Sequence, residues 1–387
     1  MFDIDFLFSV KPEIRRLETE VENKFGRTHA IYYKGQPYHG RDTYNFAYVG
    51  VPNGKTPDQG FPAVVLVHGG GGCAFHEWVE FWNNKGYVAI APDISGQHNG
   101  DKKYDGKGAP KNPEGGPSGY APFRSNLDNY RDCWIYHSVC NVIYCNNILR
   151  EMDVVNPEKI AVTGISWGSV MTEIVSGVDN RFACFAPVYG GGYLHKTPAF
   201  LAQEPKPDNS RLWLNYFDPT AYLKRNRKPI LFTSGVDDPA FLVENNFKSW
   251  KKSEKYASYS WRKNLEHYHR WKDQEGMINV YRFIDKNLEN NAMPFELVLD
   301  DFDGEKLTVK LDGKMSVGAK LNYAVGKKTC KANAKREWIS VGVKQEKNGI
   351  LSVTVPKQAT YFFMEITDNS DPEFIMSSKM RIRSNKI

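Results

Sequence analysis

Short, mostly apolar segments recur along this chain and leave few folds open to it. Ala63-Val64-Val65-Leu66-Val67 is the clearest, and it runs into glycines. Tyr87–Ala91, Lys159–Thr163, Phe182–Val188 and Pro229–Thr233 follow. A continuous apolar run of strand length suits a strand covered on both faces, as in a parallel sheet. Helical stretches lie between the runs, at Glu77–Lys85, Asn129–Met152 and Ser169–Ser176. The alternation predicts an α/β fold, a mostly parallel sheet sandwiched by helices. A last helix from Met277 to about Asn290 puts Met277, Tyr281, Ile284 and Leu288 on one face.

The flanks read differently. Lys11–Lys24 reads as a charged helical stretch, and His29–Tyr33 and Tyr44–Val51 as strands. Gly96–Ala121 is rich in Gly, Pro, Lys and Asp and has no period, which makes it an insertion loop with a functional or disordered character. From Ala292 the period becomes two, through Phe295-Leu297-Leu299, Leu307-Val309-Leu311, Leu321-Tyr323-Val325, Ile339-Val341-Val343 and Leu351-Val353-Val355. Asp312-Gly313 and Asn348-Gly349 are two-residue hairpin signals, and Thr360–Ile366 and Ile375–Ile382 are further strands. This pattern predicts a small all-β sandwich. The expected division is an α/β domain over 1–291, carrying the 96–121 insertion, and a β-sandwich accessory domain over 292–387.

Composition excludes several functions. The net charge of +6 arises from 51 basic and 45 acidic residues spread along the chain, with no Lys/Arg block to follow a phosphate backbone. A nucleic-acid partner is not expected. Nor is a membrane partner, since no apolar run approaches the length of a bilayer span. The cysteines, Cys73, Cys133, Cys140, Cys145, Cys184 and Cys330, form neither a Cys-x-x-Cys pair nor a Cys/His metal spacing, and read as buried free thiols. The start, Met1-Phe2-Asp3-Ile4-Asp5, lacks the basic and apolar regions of a secretory leader. A cytoplasmic protein is slightly favoured, with a periplasmic or secreted one open if a leader has been removed.

The chemistry concentrates at Gly164-Ile165-Ser166-Trp167-Gly168. The motif follows an apolar strand directly and opens a helix directly. A serine on such a strand-to-helix turn is lifted above the sheet, and the helix N-terminus favours developing negative charge. A serine hydroxyl needs a base, and the base needs an orienting carboxylate. Both occur downstream in the order Ser, Asp, His. Asp237 and Asp238 follow the strand Pro229–Thr233, and His267-Tyr268-His269 precedes the last helix. Spacing alone leaves both pairs open. His68-Gly69-Gly70-Gly71-Gly72 closes the first apolar strand, and its glycines can turn backbone N–H groups toward an oxyanion. The second donor is expected at Trp167, the residue after the nucleophile. His68 itself reads as structural.

Val67–Gly72, Trp78–Asp93, Gly164–Gly168, the Gly-x-x-Asp of Gly235–Asp238 and the His-x-His motif resemble the α/β-hydrolase superfamily. Within it they resemble the acetyl xylan esterase, dienelactone hydrolase and prolyl oligopeptidase-like branch. The resemblance spans roughly residues 40–290. It implies Asp238 as the acid, third after the glycine, and His269 as the base, by its distance from the final helix. The tail from 292 resembles accessory β-sandwich domains of bacterial esterases. Two departures stand out. Dienelactone hydrolases carry Cys where this chain has Ser166, and prolyl oligopeptidases place a large propeller ahead of the hydrolase domain, where this chain has about 60 residues.

The expected activity is that of a serine carboxylic-ester hydrolase with Ser166, Asp238 and His269 as triad and Gly70 and Trp167 as oxyanion donors. No metal or organic cofactor is implied. Trp167, Tyr189, Tyr193, Trp213, Tyr216, Tyr268 and Trp271 suggest sugar stacking, and the insertion is too polar for a lipase lid. Small acyl esters of a carbohydrate or another polar alcohol are therefore the expected substrate. A small serine peptidase or amidase is the alternative, and an inactive hydrolase scaffold used for binding is a third.

Overall fold

A computed structural model describes residues 1–98, 110–118, 129–202, 207–268, 277–312, 316–326 and 336–383. Its strands are β1 (Ile14–Val21), β2 (Gly26–Lys34), β3 (Tyr44–Pro52), β4 (Phe61–Val67), β5 (Val88–Pro92), β6 (Val155–Ile165), β7 (Cys184–Val188), β8 (Ile230–Gly235) and β9 (Ala257–Arg262). Its helices are α1 (Ile4–Ser9), α2 (His76–Asn84), α3 (Trp134–Arg150), α4 (Trp167–Ser176), α5 (Pro198–Leu201), α6 (Pro207–Phe217), α7 (Thr220–Leu223), α8 (Val243–Trp250) and α9 (Met277–Glu289). The strands form one nine-stranded sheet, ordered β1-β2-β3-β5-β4-β6-β7-β8-β9. From β5 to β9 neighbouring strands run parallel, while β1, β2, β3 and β5 pair antiparallel.

The apolar runs are continuous because each strand feeds two cores at once. Ala63, Val65 and Val67 of β4 pack with α3 and α4 on one face. Val64 and Leu66 pack with Trp78 and Trp82 of α2 and with Ile284 of α9 on the other. The expected central strands and helices are present within a few residues of their predicted bounds. Two expectations need correction. Lys11–Lys24 is not helical: Ile14–Val21 forms β1 and pairs with β2. And β9 extends the sheet beyond the last strand read from the sequence.

The C-terminal part holds β10 (Leu297–Phe302), β11 (Lys306–Leu311), β12 (Val317–Ala324), β13 (Trp338–Val343), β14 (Ile350–Thr354), β15 (Tyr361–Asp368), β16 (Ile375–Ser377) and β17 (Arg381–Ile382). They form two antiparallel sheets, β10-β11-β14 and β13-β12-β15-β16, with β17 on β15. Leu307, Val309 and Leu351 of the first share a core with Leu321, Phe362 and Ile366 of the second. The chain is thus an α/β unit followed by a β domain. The hairpin signals do not join strands of one sheet, since β11 and β12 lie in different sheets, as do β13 and β14, although Gln345 and Leu351 form an antiparallel bridge across Asn348-Gly349. Asn348 and Gly349 do take the expected positive φ values, 62° and 73°. Gly313 lies outside the described residues.

Cys73, Cys133, Cys140, Cys145 and Cys184 are buried and free, and Cys330 lies outside the described residues. Among the described residues no helix is long and apolar enough to cross a membrane.

Every residue of α4 is buried, Glu173 included. Burial pushes its carboxyl well above the usual range, the nearby Asp218 adds to this, and a contact from Ser169 opposes it. Burial therefore favours the neutral carboxyl of Glu173 in the folded protein, whereas an unfolded glutamate ionises above a pH of about 4.3. Its contribution to stability is full below that pH and is lost as pH rises toward the folded pKa. Glu173→Gln, which mimics the neutral acid, should remove this loss. Urea midpoints measured at pH 5 and pH 8 should show the variant gaining on the wild type toward pH 8.

Candidate active site

The strand order reverses at β4. From β4 the chain crosses to β5 on one side and later returns to β6 on the other, and β4 and β6 pair with Val67 opposite Gly164. Loops leaving the C-terminal ends of such strands diverge and open a crevice, the usual ligand site of an open α/β sheet. The glycine run leaves β4 there and the Ser166 turn leaves β6. The loops after β8 and β9 complete the group, with Gly235 paired to Arg262.

The turn at Ser166 is as tight as the motif requires. Ser166 has φ 55° and ψ −119°, a conformation that costs a side-chain-bearing residue about 1–3 kcal/mol. Its N–H donates to Val188 O at 3.0 Å, and its carbonyl accepts from Val170 N at 3.2 Å, so both neighbouring elements hold the strain. A Cβ on Gly168 would strike the carbonyl oxygens of Val67 and His68, and one on Gly164 would strike Gly168 O. α4 therefore starts directly against the end of β4, which brings the glycine run beside the serine.

His267 bridges the serine and a carboxylate. Its Nε2 lies 3.0 Å from Ser166 Oγ and its Nδ1 lies 2.7 Å from Asp238 Oδ2. Asp238 Oδ1 accepts the backbone N–H groups of Ala240 at 2.8 Å and Phe241 at 2.7 Å. Its carboxylate is fully enclosed, while the imidazole keeps an edge open to solvent. Of the two candidate aspartates, Asp238 faces the imidazole, and Asp237 turns away to accept the indole N–H of Trp338. The expected base, His269, is corrected to His267. The chain returns from Arg262 close across Gly235, where Leu265 O sits on the glycine, and it reaches the serine at residue 267. Distance from the final helix was the wrong ruler for this return. His269 and Trp271 lie outside the described residues.

Comparison with known proteins bears on the family and the fold. The family model for acetyl xylan esterase (AXE1) matches residues 7–196, and that for the prolyl oligopeptidase family matches residues 125–291. No curated protein matches the chain. Among solved structures, an acetyl xylan esterase from Paenibacillus sp. R4 superposes with a TM-score of 0.59 at 18% identity, over 74% of this chain and 92% of that one. Acetyl Xylan Esterase 1 from Thermoanaerobacterium sp. JW/SL YS485 gives 0.57 at 17%, over 73% and 93%. An acylaminoacyl peptidase from Pyrococcus horikoshii gives 0.51 at 15%, over 71% and 44%. The chain is an α/β-hydrolase.

The root of the hydrolase's glycine run is held by His68, which is fully buried. Its Nε2 accepts Ile94 N–H at 2.9 Å, so Nδ1 carries the proton and donates to Gly69 O at 2.7 Å. Gly72 N–H closes a turn on Gly69 O at 3.1 Å, and Gly71 takes φ 71°. Gly70 lies within this turn. Asp93, next to His68, accepts N–H groups of Ser95 at 2.9 Å and Gln97 at 2.8 Å, anchoring the start of the 96–121 insertion.

Aromatic rings set the other walls. Trp167 meets Trp134, Trp213 and Phe241 edge to face, at centroid distances of 5.7, 6.4 and 6.0 Å. The imidazole of His267 lies parallel to Phe241 at 6.2 Å and tilted against Tyr189 at 4.6 Å. The Tyr189 hydroxyl also donates to the backbone carbonyl of Tyr268, next to the histidine. Phe241 carries no role in the sequence reading, and Tyr189 is expected there only as one of several rings for sugar stacking. The signal for Tyr189 was there: it leads the run Gly190-Gly191-Gly192 and takes a positive φ of 36°.

Tyr189→Phe keeps the ring against His267 and removes the clamp on Tyr268. Turnover should fall by roughly three- to tenfold, the worth of one ordinary hydrogen bond, with KM little changed. Steady-state kinetics on a short-chain ester will measure this.

Proposed function

We propose that this hydrolase is a serine carboxylic-ester hydrolase acting on small acyl esters of a carbohydrate or another polar alcohol. The observation that carries the reading is the continuous hydrogen-bonded line from Ser166 Oγ through His267 to Asp238. In this reading His267 Nε2 takes the proton from Ser166 Oγ as the oxygen attacks the ester carbonyl. Asp238 fixes the tautomer with the proton on Nδ1 and stabilises the imidazolium. Backbone N–H groups at Gly70 and Trp167 hold the oxyanion. The imidazolium then protonates the leaving alcohol, leaving an acyl-enzyme. Water, deprotonated by the same imidazole, releases the acid. No cofactor enters these steps. We also assign residues 1–291 to the catalytic domain and 292–387 to a β-sandwich domain, with the boundary between α9 and β10.

The acyl preference rests on Trp167. Its ring is enclosed by Trp134, Trp213 and Phe241, so the wall beside the nucleophile is already close-packed. A long acyl chain there would have to displace aromatic rings. The likeness to acetyl xylan esterases supports the same choice. A peptidase or amidase reading has its own support in the prolyl oligopeptidase model over residues 125–291. Matched p-nitrophenyl esters and p-nitroanilides of one acyl group separate the two.

Ser166→Ala should reduce ester turnover by several orders of magnitude and abolish labelling by a fluorophosphonate. His267→Ala should do the same to turnover, while His269→Ala keeps most of it. A variant at Ser166 retaining more than about a tenth of the activity would end the triad reading. Across acyl lengths, kcat/KM should be highest for acetyl and propionyl and fall by octanoyl. A steady rise from two to ten carbons would instead point to a lipid-type acyl pocket.

A further inference from the structure

The turns that carry Asp238 and His267 are both bonded to the C-terminal sheets. On the acid side, Trp338 at the start of β13 donates its indole N–H to Asp237 Oδ1 at 2.9 Å. Glu244, in the first turn of α8, accepts the Tyr361 hydroxyl at 2.9 Å and is ion-paired to Arg336. The Arg336 guanidinium lies over the Tyr361 ring at 4.2 Å. On the base side, Lys263 N–H donates to Glu365 Oε2 at 2.9 Å and Lys263 Nζ reaches Ser340 Oγ at 2.8 Å. Within β9, Trp261 N–H donates to Ser377 Oγ at 2.8 Å.

The bond to Asp237 matters most because of what Asp237 is. It is a second carboxylate, one residue from the one that faces His267. An imidazole N–H between two adjacent carboxylates has two competing acceptors, and the wrong choice rotates the ring off the serine. Trp338 occupies Asp237 with a donor that cannot itself ionise. The indole is in turn fixed, being mostly buried and edge-on to Phe363 at 5.5 Å. A donor set on a rigid ring holds the acceptor's direction as well as its distance.

We propose that Trp338 is a positioning residue for the reaction: by holding Asp237 away it leaves Asp238 as the sole carboxylate on His267, and the C-terminal sheets are part of the active-site scaffold. The inference rests on the triad reading above. Trp338 touches no reacting atom. It acts through Asp237 and the turn that Asp237 shares with Asp238.

The test is a double-mutant cycle in the full-length chain, with kcat expressed per serine titrated by a fluorophosphonate. Trp338→Phe keeps the ring packing and removes the N–H, and Asp237→Ala removes the acceptor. Trp338→Phe should lower kcat by roughly three- to tenfold with KM unchanged, and slow labelling of Ser166 by a similar factor. Asp237→Ala removes the competing carboxylate, so alone it should keep kcat near the wild-type value, and combined with Trp338→Phe it should restore most of what that change loses. A purely structural Trp338 would lower the melting temperature and the titrated fraction while kcat per titrated serine stayed at the wild-type value, and that result overturns the proposal. Fully additive losses in the double variant overturn it as well. A wild-type chain that takes no label defeats the hydrolase reading itself and this inference with it, an outcome distinct from either of the others.

Discussion

The approach of α4 to the end of β4 sets the geometry of everything above the sheet. There is no room for a side chain at Gly168 against Val67 O and His68 O, or at Gly164 against Gly168 O. That contact forces Ser166 into a positive φ, and the same contact brings the β4 loop within reach of the serine. The strain is local and is held by ordinary backbone hydrogen bonds from β7 and from α4 itself. Because the two strands are neighbours at the point where the sheet order reverses, one packing constraint sets both the turn at Ser166 and the position of the glycine turn. The remaining groups, Asp238 and His267, then need only short loops from β8 and β9.

What could be read from the sequence followed from how many physical demands each segment meets at once. β4 feeds two cores with alternate residues, so all of it had to be apolar and it was plain. Ser166 was plain because strand, glycines and helix converge on it. β1 was missed because Ile14-Arg15-Arg16-Leu17-Glu18-Thr19-Glu20-Val21 is an edge strand rich in residues that favour helices, and pairing with β2 overrides that preference. The hairpin signals gave the right backbone conformation at Asn348-Gly349, but a turn does not say whether the following strand joins the same sheet.

The histidine shows a different limit. Two imidazoles two residues apart are equivalent by spacing, and the choice depends on the path from Arg262 past Gly235. Only three-dimensional structure contains that path. The same holds for the rings around His267. Phe241 supplies both a backbone N–H to Asp238 and a parallel ring to the imidazole, and Tyr189 clamps the next residue's carbonyl. The base is thus oriented by a carboxylate at one nitrogen and by two ring faces.

The ties between β9 and the C-terminal sheets also bear on when such a site is assembled. Lys263 and its partner Glu365 are 102 positions apart, and Trp261 and Ser377 are 116. During synthesis the serine, the aspartate and the histidine all leave the ribosome well before the groups that grip the last strand of the sheet. A nascent chain at that stage holds all three residues and lacks Glu365 and Ser377. In such a chain β9 and the turn after it wait for their partners Ser377 and Glu365 until the C-terminal strands have been made.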